Sequence, residues 1–151
     1  MVNKMIAVVG SGNASRISES LALEVGRLIA IRGAILLSGG LSGVMEYSAK
    51  GAYDAGGVTI GILPGDRKGG ANRFIKYPIV TGVGHSRNMI IAHTADGIIA
   101  INGSFGTVSE VAIGLKIGKP VVLLGSLECS FTDIVRAANP EDAVDILFSK
   151  L

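Results

Sequence analysis

The sequence has a single cysteine, Cys129, among its 151 residues, so no disulfide framework can form within one chain. Charge is scarce as well. Only 17% of residues are charged against 48% hydrophobic, which excludes a solvated, disordered chain. The formal net charge of +2 is far from the basic surface of a dedicated nucleic-acid binder. Long apolar runs are missing too. The apolar residues come in short runs divided by glycine, and none approaches the ~18 consecutive residues of a membrane span. The apolar part of the N-terminal "MVNKMIAVVGSG" is too short for a secretory h-region. Together with the lone cysteine, this predicts a cytoplasmic protein. A chain of this length suits one domain with a real core, and residues 1–151 are read as one.

Several familiar site signatures are also lacking. No G-x-x-x-x-G-K-[ST] motif is present, which excludes a P-loop NTPase. Gly10 and Gly12 start a G-x-G, but Ser15 stands at the third glycine position. The next strand-like run ends in "SGG" and not in an acid that could hold a ribose hydroxyl. Both points argue against NAD. His85 and His93 have no acid or cysteine at zinc-site spacing, so neither a metal nor a resident cofactor is expected.

What is there is alternation. "KMIAVVG", "AILLSGG", "VTIGILP", a piece near "YPIVTG", "DGIIAIN" and "PVVLLG" read as strands, the last taken as the final one. Between them, "SESLALEVGRLIAIRG", "SGVMEYSAKGAYDAGG", "HSRNMIIAHTA" and "TVSEVAIGLKIG" read as helices. "PEDAVDILFSKL" follows as a terminal helix with Pro140 at its first position. The strands are apolar throughout and not alternating, as in sheets covered on both faces. The pattern predicts an α/β fold: a three-layer, Rossmann-like, doubly wound parallel sheet in a single domain. In such folds the ligand lies beyond the carboxyl ends of the strands, at the switch point of strand order.

Three strands end there in small-residue turns that lead into helices. The first runs from Gly10 to Ser15 and includes Ser11 and Gly12. The second runs from Ser38 to Gly43 and includes Gly39 and Gly40. The third runs from Asn102 to Thr107 through Gly103, Ser104, Phe105 and Gly106. Glycine lets a backbone approach a ligand closely, and helix N-termini direct free N–H groups at anions. One such turn means little, because βα turns favour glycine anyway. Three on one side of a sheet predict a phosphate or nucleotide site.

Two charged residues stand beside these turns. Glu110 has two readings. Thr107-Val108-Ser109-Glu110 fits a capping box, and the same carboxylate stands at the rim of the expected phosphate site. Arg87 in "GHSRN" opens another helix, and a guanidinium pairs with phosphate or carboxylate. His85 is its neighbour and stands either at the ligand or on the surface. The "DRKGGANRF" loop, with Asp66, Arg67, Lys68 and Arg73, either folds over a bound phosphate or is a solvated loop.

"SGGLSGVME", "GHSRNMI" and "NGSFGTVSE" resemble, in order, the "GGG-x-x-G-x-M", "H-x-R-K" and "P-G-G-x-G-T-x-x-E" blocks of the LOG family. These are the cytokinin riboside 5′-monophosphate phosphoribohydrolases, long labelled lysine decarboxylases. The sequence is more similar still to the short prokaryotic branch of that superfamily, which includes proteins similar to the molybdenum cofactor carrier protein. The resemblance covers most of the chain. It implies a Rossmann-like fold, a homodimer or higher homo-oligomer, and a nucleoside monophosphate over the glycine turns, with a phosphorylated pterin such as molybdenum cofactor as the carrier-like alternative. It assigns Arg87 and Glu110 to cleavage of the N-glycosidic bond. Gly103, Ser104, Gly106 and Thr107 become the phosphate turn, and Gly39, Gly40, Gly43 and Met45 the opposite side, with Glu46 nearby. The second helix and the helix after Arg87 are apolar enough to supply a dimer interface. The lysine after the arginine is Asn88 here, and "P-G-G" is Asn102-Gly103-Ser104. Retention of Arg87 and Glu110 favours an enzyme, whereas these two departures favour a binding or carrier protein. A more distant similarity, through "SRNMIIAHTADGIIA", is to DNA-processing protein A, and single-stranded DNA binding is the weakest reading.

Overall fold

The computed structural model describes residues 2–127, 129–132 and 134–151. Apolar runs form strands β1 (Met5–Gly10), β2 (Ile35–Ser38), β3 (Thr59–Leu63), β4 (Tyr77–Val80), β5 (Gly97–Ile101) and β6 (Val121–Leu124). A short seventh strand, β7, spans Val135–Ala137. Helices α1 (Arg16–Ile31), α2 (Val44–Asp54), α3 (Arg87–Thr94), α4 (Phe105–Lys116) and α5 (Pro140–Phe148) separate or follow them. The strands form one parallel sheet in the order β4-β3-β2-β1-β5-β6-β7. Ala7 of β1 lies in register with Leu37 on one side and Ile98 on the other. The chain thus winds outward from β1 through β4 and then restarts at β5 on the opposite flank. The switch point lies between β1 and β5, and the expected Rossmann-like arrangement is present.

Successive residues of β1 face opposite layers. Ile6 and Val8 pack with Val25 and Ile29 of α1, Ala49 of α2 and Leu147 of α5. Ala7 and Val9 pack with Ile91 of α3 and Val111 of α4. Both faces of the central strands are therefore dry, which is why their sequences carry no polar alternation. Each large aliphatic side chain buried this way contributes about 1.5–3 kcal/mol. The α1–α2 contact is unusually close, because glycine stands on both helices. A Cβ on Gly26 would lie 1.9 Å from the Ser48 carbonyl oxygen, and one on Gly51 would lie 1.9 Å from that of Leu23.

The structure moves some boundaries. α1 starts at Arg16, with Ser15 as cap, its hydroxyl accepting the Ser18 N–H at 3.2 Å. "HSRNMIIAHTA" divides into a 3₁₀ turn, Gly84–Ser86, and α3. The "PVVLLG" strand is not the last, since β7 adds an edge beyond it. β7 has an exposed arginine at its centre and no apolar run to announce it. α5 begins as expected, with Pro140 at its first position and Asn139 Oδ1 accepting the Asp142 N–H at 2.8 Å. Among the described residues, no helix is long and apolar enough to cross a membrane.

Candidate functional site

The turns after β1, β2 and β5 meet at the carboxyl edge of the sheet and enclose a cleft of about 240 Å³. Gly10, Ser11 and Gly12 line it from the first turn, Gly39 from the second, and Met45 from the start of α2. Ser104, Gly106 and Thr107 line it from the start of α4, with Glu110 one turn further along. Arg87 and Asn88 enter from the start of α3. Val8, Val9 and Leu41 also line the cleft, and His85 stands exposed among its lining residues. Of these four, only His85 carried a signal in the sequence, as the neighbour of Arg87.

The other expected residues serve the turns and do not line this cleft. Ser38 is fully buried, and its hydroxyl accepts the Gly40 N–H at 3.1 Å. The Gly40 carbonyl in turn accepts the Asn72 N–H at 2.8 Å. Gly43 has φ +66°, and a Cβ there would meet the Ser11 carbonyl oxygen at 2.2 Å, so the turn after β2 packs directly on the turn after β1. Asn102 is a non-glycine residue in the left-handed region, with φ 46°. Its amide holds that conformation by donating to Ser18 Oγ at 2.7 Å and accepting the Ser126 N–H at 2.7 Å. Gly103 and Phe105 open onto a second cavity of about 190 Å³ with Val108 and Leu127. The phenyl ring of Phe105 is exposed.

Of the two readings of Glu110, the capping box is not formed. α4 begins at Phe105 with Ser104 at its cap, so Thr107 lies inside the first turn and Glu110 in the second. The Ser104 carbonyl accepts the Val108 N–H at 3.0 Å, which leaves the amides of residues 105–107 ahead of the first intrahelical bond. These N–H groups and the helix dipole make the Ser104–Thr107 edge of the cleft attractive to an anion.

Freed from capping, Glu110 is buried opposite Arg87, at 6% and 7% exposure. Arg87 Nη1 lies 3.8 Å from Glu110 Oε1, within ion-pair range but too long for a hydrogen bond. Nη1 donates instead to Asn88 Oδ1. Nη2 makes a long contact of 3.5 Å to the Gly39 carbonyl oxygen. A Cβ at position 39 would lie 2.5 Å from Nη2, so glycine there is what lets the guanidinium rest on the turn. Nε is buried without a hydrogen-bond partner among the described residues. Burial pushes the Glu110 carboxyl up to about 7, and attraction to Arg87 offsets only part of that rise. Burial pulls the Arg87 guanidinium down, opposed by Glu110, but arginine stays protonated at neutral pH. The arrangement can hold an anion, and it presents a carboxyl that takes or gives a proton near neutrality.

The polar loop does not contribute its charges here. Asp66 and Arg67 are 85% and 86% exposed and pair with each other at 3.5 Å. The loop is tied to the turn after β2 through Asn72, whose Nδ2 donates to the Leu41 carbonyl at 2.8 Å. Among the described residues, no group of His, Cys, Asp and Glu is placed to hold a metal ion.

Comparison with known proteins agrees with the fold. A protein of Archaeoglobus fulgidus, itself uncharacterized, is 47% identical over 119 residues, covering 79% of this chain and 78% of its own. The structure of the molybdenum cofactor binding protein from the phototrophic bacterium Rippkaea orientalis matches with a TM-score of 0.94 at 36% identity, over 99% of this chain and 98% of that one. The molybdenum cofactor carrier protein of Chlamydomonas reinhardtii matches with a TM-score of 0.88 at 36% identity, over 97% and 98% of the two chains. DNA processing protein A from Helicobacter pylori, 18% identical, shares the fold, with a TM-score of 0.75 over 97% of this chain and 81% of that one. The resemblance to the LOG-like superfamily and its carrier-like branch is thereby borne out. A model of the SLOG cluster4 family matches residues 3–147, and the chain belongs to that family.

Proposed function

We propose that the cleft binds a small phosphorylated heterocycle, of the pterin phosphate or nucleoside 5′-monophosphate class, and holds it as a binding or carrier protein. The observation that carries this reading is the buried Arg87, which leaves Nε unpartnered and stands 3.8 Å from Glu110 beneath the free amides of α4. A buried guanidinium without full pairing is costly, and a phosphate relieves it with charge-assisted hydrogen bonds. The phosphate sits at the Ser104–Thr107 turn, with Arg87 beside it. The match at 36% identity to two proteins named for the molybdenum cofactor supports the pterin member of the class. Thermal stabilisation by molybdopterin and by AMP, lost in Arg87→Ala, is the expected result. No stabilisation of the wild type by either ligand overturns the reading.

Glu110 favours a second reading, cleavage of the bound ligand. It lies one helical turn, about 5.4 Å, beyond Gly106. A 5′-phosphate held at Gly106 brings the anomeric carbon to the level of the carboxyl. Water adds across the C1′–N bond to give ribose 5-phosphate and the free base. Glu110 stabilises the oxocarbenium-like state or moves the proton of the attacking water. Incubation with AMP and N6-prenylated AMP tests this directly. Free base from the wild type and none from Glu110→Gln identifies a phosphoribohydrolase. Stabilisation without release identifies a carrier.

A further inference from the structure

The most informative unassigned contact is the one that keeps Arg87 from closing on Glu110. Nη1 of Arg87 donates to Asn88 Oδ1, while Glu110 Oε1 stays 3.8 Å from the same nitrogen. Asn88 is itself held. Its Nδ2 donates to Ser109 Oγ at 3.2 Å, and Ser109 Oγ donates to the Gly106 carbonyl at 2.7 Å. A relay therefore runs from the guanidinium on α3 to the first turn of α4. We propose that Asn88 is a positioning residue, whose side-chain carbonyl withholds Arg87 from Glu110 and whose amide ties the guanidinium, through Ser109, to the anion-binding turn. The inference rests on reading Arg87 and Glu110 as the working pair of the cleft.

The geometry holds the cation in place. A guanidinium in a buried site prefers a charged oxygen to a neutral one when both are in reach. Here the bond to the neutral amide oxygen pins Nη1 at 3.8 Å from the carboxyl, too far for its second N–H to reach, because Asn88 is adjacent in the chain, buried, and anchored at its other end. Glu110 is left with attraction but no hydrogen bond from the cation. Among the described residues lining the cleft, the titratable groups are His85, Arg87 and Glu110, and the lining includes no second acid. By withholding that hydrogen bond, Asn88 adds to the burial that favours the protonated carboxyl, and so biases the net charge offered to an incoming anion. Burial of the carboxyl, which pushes it up to about 7, is consistent with this arrangement.

The test follows the Glu110 carboxyl by ¹³C NMR in the full-length chain, with the resonance assigned by its loss in Glu110→Gln. Asn88→Ala frees Nη1 to pair with Glu110, and the titration midpoint falls by about one to three pH units. Asn88→Asp keeps the tie to Arg87 and adds a like charge near Glu110, so the midpoint rises. Ser109→Ala loosens the anchor of Asn88 and gives a smaller fall. Ser109 is only partly buried, so this variant preserves the test if Asn88→Ala does not fold. A residue that merely fills space would not shift the midpoint in opposite directions for alanine or its surrogate and for aspartate. Midpoints that stay put, or that move the same way in both, overturn the inference. No ligand enters this readout, so failure to bind AMP or molybdopterin would sink the proposed function alone.

Discussion

Glu110→Gln is expected to stabilise the ligand-free protein, and by more at alkaline pH than at acid pH. The carboxyl titrates near 7 in the folded chain against an ordinary value of 4.5. Between those values the folded state holds a proton that the unfolded state has released, so stability falls as pH rises through that window. Glutamine stands in for the protonated acid and escapes the loss. At 1.36 kcal/mol per pH unit, the full effect is about 3 kcal/mol above pH 7 and about 1 kcal/mol at pH 5. For a domain of this size, 1 kcal/mol shifts Tm by roughly 2–4 °C. The variant should therefore melt roughly 6–12 °C above the wild type at pH 8, and roughly 2–4 °C above it at pH 5. Calorimetry at pH 5, 6, 7 and 8 in a buffer without phosphate reads the difference. The other acids titrate alike in both proteins and cancel. A gap that does not change with pH, or a wild type that is more stable at pH 8, would refute the claim that Glu110 is held protonated by burial.

Three further outcomes are expected. Affinity for AMP should fall roughly tenfold between pH 7 and 8.5, as Glu110 ionises beside the phosphate, and isothermal titration should find that fall absent in Glu110→Gln. Gly51→Ala should lower the urea midpoint by about 2–4 kcal/mol in stability, because its Cβ meets the Leu23 carbonyl oxygen at 1.9 Å and neither helix backbone can yield. Phe105→Ala should change stability by less than about 0.5 kcal/mol, since the ring is 95% exposed. Any loss of nucleotide affinity in that variant, measured by the same titration, then belongs to the ligand and not to the fold.

Much of the architecture was legible because burial on both faces writes itself into composition. β1, β5 and β6 are apolar runs with no alternation, and the turns after β1, β2 and β5 are marked by their glycines. β7 was not legible, because an edge strand of three residues with Arg136 at its centre has no such run. The capping-box reading of Glu110 fails for a local reason. α4 starts after Ser104, three residues before Thr107, so the Thr-x-x-Glu spacing falls inside the helix and not at its start. The site was legible as a set of turns and two charged residues. Which side of each turn faces the cleft was not, since that depends on how Asn102 is tied to Ser18 and how Gly43 packs on Ser11. The relay from Arg87 to Gly106 was out of reach as well, because Asn88 and Ser109 meet only once α3 lies against α4.

The backbone contacts at Gly26 and Gly51 bear on how stiff the cleft is. They lock α2 against α1, and the Val44 N–H, which bonds the Ser11 carbonyl at 3.0 Å, joins the turns ahead of those helices. Two walls of the cleft are therefore tied together backbone to backbone. The opposite wall is built differently: Ile91 of α3 and Val111 of α4 share one apolar cluster, and Asn88 Nδ2 donates to Ser109 Oγ at 3.2 Å beside the cleft. The fixed wall has little freedom to lose on binding, which lowers the entropic cost of capture.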